Sequence, residues 1–293
     1  MPELPEIETI VEGAKEKLKN LTIKNIEVRV PKMVGFLVPT FKKMTEKAKI
    51  KDARRMGKII ILDLSNGNSI YIHLKLTGQL VYQVQSSKFK VQSVGGHPAR
   101  VYDQPLPHKF THVILHLSKG DLFFNDIRKF GWLKVASTKD LPEMKEFKTL
   151  GPDPFDKKEF SLEKFKEKLK RRGRAKIKQV LLDQKFVSGI GNIYACEILY
   201  EAKVRPDRTV GSLNKDELEA IHDAIPKILK LAIKMGGSSE NTYVNLEGEK
   251  GSFMNYAKVY QQTGKSCQRN DGGKIERITL GGRGTFFCPK CQK

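Results

Sequence analysis

Two residues at the start of the chain have the chemistry of a covalent catalyst. Pro2 has a small side chain of the kind methionine aminopeptidases accept, so loss of Met1 leaves a free secondary amine. Such an α-amino group titrates at about 7.7 to 8.0, whereas a lysine needs a shift of about 2 to 3 units to match it. A secondary amine that attacks an aldehyde-level carbon gives an iminium ion. Glu3 follows directly, and a carboxyl beside such a nucleophile can protonate a sugar ring oxygen as the ring opens, work that needs a raised pKa. Each residue also has a plainer reading: many chains begin Met-Pro without catalytic consequence, and Glu3 and Glu6 complement the dipole of a helix starting beside them.

Cysteine gives the second chemical signal. Of four cysteines, Cys267, Cys288 and Cys291 lie close to the C-terminus, a clustering that suits a metal site and makes a disulfide scaffold a poor reading. Cys196 stands apart and reads as a packed small hydrophobe. The third signal is charge: 54 Lys+Arg against 33 Asp+Glu give +21. Cations in that excess release counterions from a phosphate backbone, so nucleic acid is the expected partner, against a basic surface with no dedicated partner or one for anionic lipid. No apolar run approaches the ~20 residues of a membrane span, and the acidic, proline-bearing N-terminus is unlike a secretion signal. A cytoplasmic, nucleoid-associated protein, monomeric and away from membranes, is the expectation.

The elements that would position these groups follow from periodicity. Ile7, Ile10, Val11, Ala14 and Leu18 repeat with the helical period from Pro5 onward. Strand patterns follow at 23–30, 58–64, 69–74, 111–117 and 121–124, with turns at Asn66-Gly67-Asn68 and Ser118-Lys119-Gly120, so the first half reads as an antiparallel sandwich or barrel. Residues 88–109, with Gly95-Gly96-His97-Pro98, read as a loop or irregular hairpin. Leu150-Gly151-Pro152-Asp153-Pro154 breaks the pattern, and helices are expected at 162–170, 177–182, 193–202 and 214–235. The last has an Asn214/Glu217 capping box and a Gly236-Gly237 stop; a β-hairpin closes the chain.

Several segments together resemble the formamidopyrimidine-DNA glycosylase family. They are Met1-Pro2-Glu3-Leu4-Pro5-Glu6, Arg54-Arg55-Met56-Gly57-Lys58, His73-Leu74-Lys75-Leu76-Thr77-Gly78 and Asp126-Ile127-Arg128-Lys129-Phe130-Gly131, then Gln184 to Ala195, similar to the family's helix, two turns, helix element, and Gly282 to Gln292, similar to its terminal finger. The resemblance implies a bifunctional glycosylase and lyase of base excision repair that acts on oxidised purines in damaged double-stranded DNA and then cleaves the strand by β,δ-elimination. It implies Pro2 as nucleophile at the deoxyribose C1′, Glu3 as proton donor and Lys58 as a catalytic phosphate contact. Lys178, Asn192 and Arg283, with help from His73, would hold phosphates, and contacts of that type position DNA without reading its sequence. Leu76, Arg128 and Phe130 would fill the gap left by the extruded nucleotide; without the family, Leu76 and Phe130 read as core residues.

The chain departs from that pattern in places. The finger's second cysteine is missing, since Cys267-Gln268-Arg269 leads to Asn270-Asp271. Cys267, Cys288 and Cys291 would then hold one zinc ion with Asp271 or water as fourth ligand, the alternative being a metal-free hairpin. Leu76 stands where methionine is frequent, and Phe110 where relatives carry a phosphate-contacting histidine, for which Lys109 or His112 can compensate. The loop that covers the damaged base would lie within 236–251. Two rivals are an endonuclease VIII-like enzyme for oxidised pyrimidines, against which Leu4 speaks, and a non-catalytic DNA-binding relative, against which Pro2, Glu3 and Lys58 speak. The expected fold is α+β: a β-sandwich domain over 1–148, a helical domain over 149–252 and a finger over 253–293.

Overall fold

The computed structural model describes residues 1–35, 37–84, 105–239 and 243–293, so most of the loop expected at 88–109 lies outside the described residues. Among them, no helix is long and apolar enough to cross a membrane. Helix α1 (Leu4–Lys17) buries Ile7, Ile10, Val11 and Ala14 on one side, as spacings of three and four residues require. Pro5 sits in its first turn, where a missing amide hydrogen costs nothing, and Lys15 and Lys17 lie at its negative end.

The strands are β1 (Ile23–Val28), β2 (Ile50–Met56), β3 (Ile59–Leu64), β4 (Asn68–His73), β5 (Gly78–Gln83), β6 (Thr111–Leu117), β7 (Asp121–Asp126) and β8 (Trp132–Ser137). They pair antiparallel into two four-stranded sheets, β1-β6-β7-β5 and β2-β3-β4-β8. Because side chains alternate along a strand, each sheet turns one face to a shared core. Ile26, Leu80, Val113, Leu115 and Phe124 come from the first, Ile60, Leu62, Ile70, Ile72 and Val135 from the second, and helix α2 (Val38–Thr45) adds Phe41. The opposite face of the second sheet is covered too, since Tyr71 packs at 5.6 Å from Trp132 and 5.5 Å from Phe147 of the short helix α3 (Lys145–Lys148).

Contacts gather the chain into two compact units, residues 1–148 with 235–254, and residues 149–234 with 255–293. The segment 235–252, expected with the helices, belongs with the sandwich because Tyr243 and Leu246 are buried in its core, where Leu246 O accepts from Tyr82 N at 2.8 Å. In the second unit the helices are α4 (Leu162–Lys170), α5 (Ile177–Leu182), α6 (Asn192–Glu201) and α7 (Lys215–Lys234), followed by the hairpin β9 (Glu276–Leu280) and β10 (Arg283–Phe287). α7 starts at the reciprocal pair Glu217 N to Asn214 Oδ1 at 2.9 Å and Asn214 N to Glu217 Oε2 at 2.8 Å. Every residue of α6 from Ile193 to Tyr200 is buried, which makes it the unit's central helix. The finger joins these helices rather than standing apart: Glu197 on α6 accepts from the amides of Lys258, Val259 and Tyr260 at 2.9, 3.0 and 2.8 Å. The fold is α+β, an antiparallel sandwich with flanking helices and a helical unit ending in a β-hairpin.

Candidate active site and metal centre

At the N-terminus the chemistry-bearing residues are out of the solvent. Pro2 is buried and Glu3 only 4% exposed, although a buried charge is costly unless something holds it. Glu6, also buried, fixes the backbone there, because its Oε2 accepts from Glu3 N at 2.7 Å. Its other oxygen accepts from the amide and hydroxyl of Ser238 at 2.6 and 3.1 Å. That approach needs Gly237, whose φ is +81° and whose added Cβ would lie 2.8 Å from Glu6 Oε1. The loop foreseen over 236–251 is thus tied at its start to the N-terminal turn, while its residues 240–242 lie outside the described residues. Sequence reading gave Glu6 a dipole role only; the signal for more is a carboxylate three residues after Glu3, at capping-box spacing.

Lys58, at the turn between β2 and β3, is 6% exposed. His73, at the end of β4, is held down at about 3 by burial, with the charges of Lys75 and Lys58 adding to the effect. Its Nδ1 accepts from Lys75 N at 3.1 Å, so the neutral ring carries its proton on Nε2 and offers a donor there.

Two loops cross between the sheets at one end of the sandwich, from β4 to β5 and from β7 to β8, where Gly78 pairs with Asp126. The first carries Leu76, 41% exposed; the second carries the exposed Arg128 and Phe130, the latter 55% exposed. The core reading of Leu76 and Phe130 therefore fails. Asp126 ties the loops together from a fully buried position, since Oδ2 accepts from Phe130 N at 2.8 Å and Gly131 N at 2.7 Å. Its Oδ1 accepts from Arg128 N at 3.1 Å and from the Thr77 hydroxyl. Lys75 and Lys129 are left-handed at φ 52° and 56°, backbone strain of a kind that collects at functional loops. The Arg128 guanidinium lies 4.8 Å from the Phe130 ring centroid. Asp126 and Thr77 carry no sequence signal of this role, because their partners are mostly backbone amides. Of the residues near Phe110, His112 is committed, its Nε2 lying 2.6 Å from Asp126 O and its pKa lowered by burial, while Lys109 is exposed.

In the helical unit Lys178 is fully buried, and its ammonium donates to Asn192 Oδ1 at 2.6 Å and Thr285 Oγ1 at 2.7 Å. Asn192 Nδ2 in turn donates to Gly284 O at 2.9 Å, which locks the hairpin onto α6. Arg283 begins β10 and is exposed beside the turn glycines 281 and 282. Lys178 and Asn192 thus lie together, and Thr285, unnoticed in the sequence, joins them.

At the end of the chain one donor atom each from Cys267, Asp271, Cys288 and Cys291 lie within 4.8 Å of one another. Cys267 Sγ is 3.8 Å from Cys291 Sγ, and Cys288 Sγ is 3.4 Å from Asp271 Oδ2. A tetrahedral zinc ion with bonds of about 2.3 Å to sulfur needs sulfurs about 3.8 Å apart, so this donor set fits the ion. Asp271 is aimed by Gly273 N, which donates to its Oδ1 at 2.7 Å and holds its carboxyl down at about 2. A Cβ on Gly273 would meet Cys288 Sγ at 2.8 Å, so the turn after Asp271 requires glycine.

Residues 1–133 match the model for the formamidopyrimidine-DNA glycosylase N-terminal domain, and residues 150–244 that for the H2TH domain of the same enzyme. Residues 272–293 match the zinc finger found in FPG and IleRS. The chain is 38% identical to the formamidopyrimidine-DNA glycosylase of Desulforamulus reducens, covering 100% of this chain and 99% of that one. It is 39% identical to the enzyme of the same name from Listeria monocytogenes, with both chains covered in full at 100%. Among solved structures, Lactococcus lactis Fpg in complex with abasic-site DNA has a TM-score of 0.87 at 33% identity, with 99% of each chain covered. The same enzyme with DNA containing an oxidised pyrimidine has a TM-score of 0.86 at 32% identity, with 100% of each chain covered.

Proposed function

The chain belongs to the formamidopyrimidine-DNA glycosylase family, and from that premise we propose that it excises oxidised purines such as 8-oxoguanine and formamidopyrimidines from double-stranded DNA and then nicks the strand. With Met1 removed, the Pro2 nitrogen attacks the deoxyribose C1′, and the damaged base departs with the C1′–N bond pair and takes up the proton that the Pro2 nitrogen gives up. Glu3 gives its proton to the ring oxygen as the ring opens, and the nitrogen lone pair closes an iminium with C1′. Loss of a C2′ proton then expels the 3′ phosphate, a second elimination expels the 5′ phosphate, and hydrolysis frees Pro2. The observation that carries this reading is the buried Pro2-Glu3 pair, its backbone fixed by the Glu6 carboxylate at 2.7 Å.

The remaining residues take supporting roles in this proposal. Lys58 and the Nε2–H of His73 hold phosphates near the lesion, as do Asn192, Lys178 and Arg283 on the helical unit, with Lys109 in the place of the absent histidine. Leu76 and Phe130 wedge into the stack vacated by the flipped nucleotide, and Arg128 hydrogen-bonds the orphaned base. Cys267, Cys288, Cys291 and Asp271 would hold zinc, which would supply folding energy to a hairpin too small to bury a core of its own.

The test is excision from a panel of defined lesions opposite each normal base. Preferential release of 8-oxoguanine and formamidopyrimidines with a strand nick is expected. The panel includes oxidised pyrimidines, because a relative has been solved with such DNA. Preferential release of pyrimidine lesions would move the chain to the endonuclease VIII type of activity, and binding without release would make it a non-catalytic relative.

A further inference from the structure

The metal donors are met from outside by two side chains. Arg269, between Cys267 and Asp271 in sequence, points its guanidinium at the last cysteine: Nη1 donates to Cys291 Sγ at 3.3 Å. Nη2 donates to Glu201 O, at the C-terminal end of α6, at 3.2 Å. The guanidinium carbon lies 3.9 Å from the centroid of the Tyr200 ring, and the Tyr200 hydroxyl is 3.3 Å from Cys267 Sγ. Two of the three sulfurs therefore each contact a group anchored at the same helix end.

We propose that Arg269 is the charge partner of the metal centre, holding the Cys291 thiolate and raising zinc affinity, while the Tyr200 hydroxyl gives Cys267 a neutral hydrogen-bond partner. The proposal rests on the zinc reading given above. Three thiolates and one carboxylate around a divalent cation leave a formal charge of 2 − 4 = −2 on donor atoms that belong mostly to buried or half-buried residues. An anionic cluster withdrawn from water is costly, and a guanidinium at hydrogen-bond distance offsets half of that charge. Arginine suits the place better than lysine, because its flat fork can stack on Tyr200 while its edge serves both Sγ and a carbonyl. The competing explanation is an ordinary ion pair with Glu201. That carboxylate is 4.0 Å from Arg269 and is already engaged by Lys227 at 2.5 Å, so the thiolate is the closer partner.

The test uses the full chain, reduced and zinc-loaded, in competition with a chromophoric chelator, and the cobalt-substituted protein for its absorption spectrum. Arg269→Gln should still bind one ion, with affinity lower by roughly 10- to 100-fold, the range found when an outer partner of a metal ligand is removed. Its sulfur-to-cobalt charge-transfer band should shift while the tetrahedral bands keep their intensity. Arg269→Lys should recover part of the affinity, Tyr200→Phe should lose less than Arg269→Gln, and Glu201→Gln should match the parent. Parental affinity and spectrum in Arg269→Gln would overturn the proposal, as would a loss in Glu201→Gln equal to that in Arg269→Gln. Failure of the underlying reading looks different: parent protein that takes up no stoichiometric metal, or an unchanged cobalt spectrum in Asp271→Ala.

Discussion

Phe130→Ala separates a wedge from a core residue because it should move excision far more than stability. A phenylalanine side chain presents roughly 200 Å² to water when free, and Phe130 keeps 55% exposure in the folded chain. Folding therefore buries less than half of it, and truncation should cost no more than about 1 to 2 kcal/mol of stability. If the ring enters the DNA stack, the remaining area of roughly 110 Å² is buried there instead, worth about 2.5 to 3 kcal/mol at 25 cal/mol per Å². That corresponds to a loss of roughly 70- to 150-fold in single-turnover excision of 8-oxoguanine from duplex, with urea unfolding shifted little. A lesion already unpaired in single-stranded DNA needs no wedge, so the variant should lose much less on that substrate. A stability loss above about 3 kcal/mol, or excision from duplex at the parental rate, would refute the reasoning.

Three further outcomes follow from the site. Asp126→Ala leaves the buried amides of Phe130 and Gly131 without their acceptor, so it should destabilise the protein by about 3 to 5 kcal/mol in urea unfolding; a loss under 1 kcal/mol would show that the loops do not depend on it. His73 is held at about 3 when folded against about 6.5 unfolded, so the unfolded chain binds more protons between those values and stability rises with pH across that window. The parent should accordingly lose up to about 2 kcal/mol more than His73→Gln between pH 7 and pH 5, and equal slopes would contradict the burial of a neutral ring. Cys288→Ser should lose the bound zinc and weaken DNA binding while far-UV circular dichroism stays close to parental; unchanged metal content would remove Cys288 from the donor set.

The elements legible in sequence were those whose buried positions leave a periodic or unbroken apolar pattern. α1 and α7 carry apolar stripes at helical spacing, and β3, β4, β6 and β7 carry β-branched or aromatic runs bounded by turns. The strands that went unnoticed, β2, β5 and β8, are all sheet edges. β2 buries only Ile50 and Ala53 among Lys51, Asp52, Arg54 and Arg55, so nothing in its composition separates it from a solvated loop. At the site, chemical type was legible and support was not. Pro2, Glu3 and the three cysteines carry reactive atoms at telling positions and Lys58 stands out only through the family resemblance, whereas Asp126, Thr285 and the clamp made by Glu6 act through backbone amides or through partners remote in sequence. The tie from Glu6 to Ser238 spans 232 positions, and no local pattern announces it. The same long-range packing draws Tyr243 and Leu246 into the sandwich core.

Pro2 is proposed as the amine that forms the covalent intermediate, and borohydride trapping with peptide mapping tests this directly. Protein with Met1 removed is incubated with 8-oxoguanine duplex in the presence of borohydride, digested with protease and nuclease, and the modified peptide identified by mass spectrometry. A reduced sugar remnant on the N-terminal peptide at the Pro2 nitrogen is the expected result, absent from protein that retains Met1. A remnant on Lys58 or another lysine, or base release and strand cleavage with no trapped species at all, would contradict it.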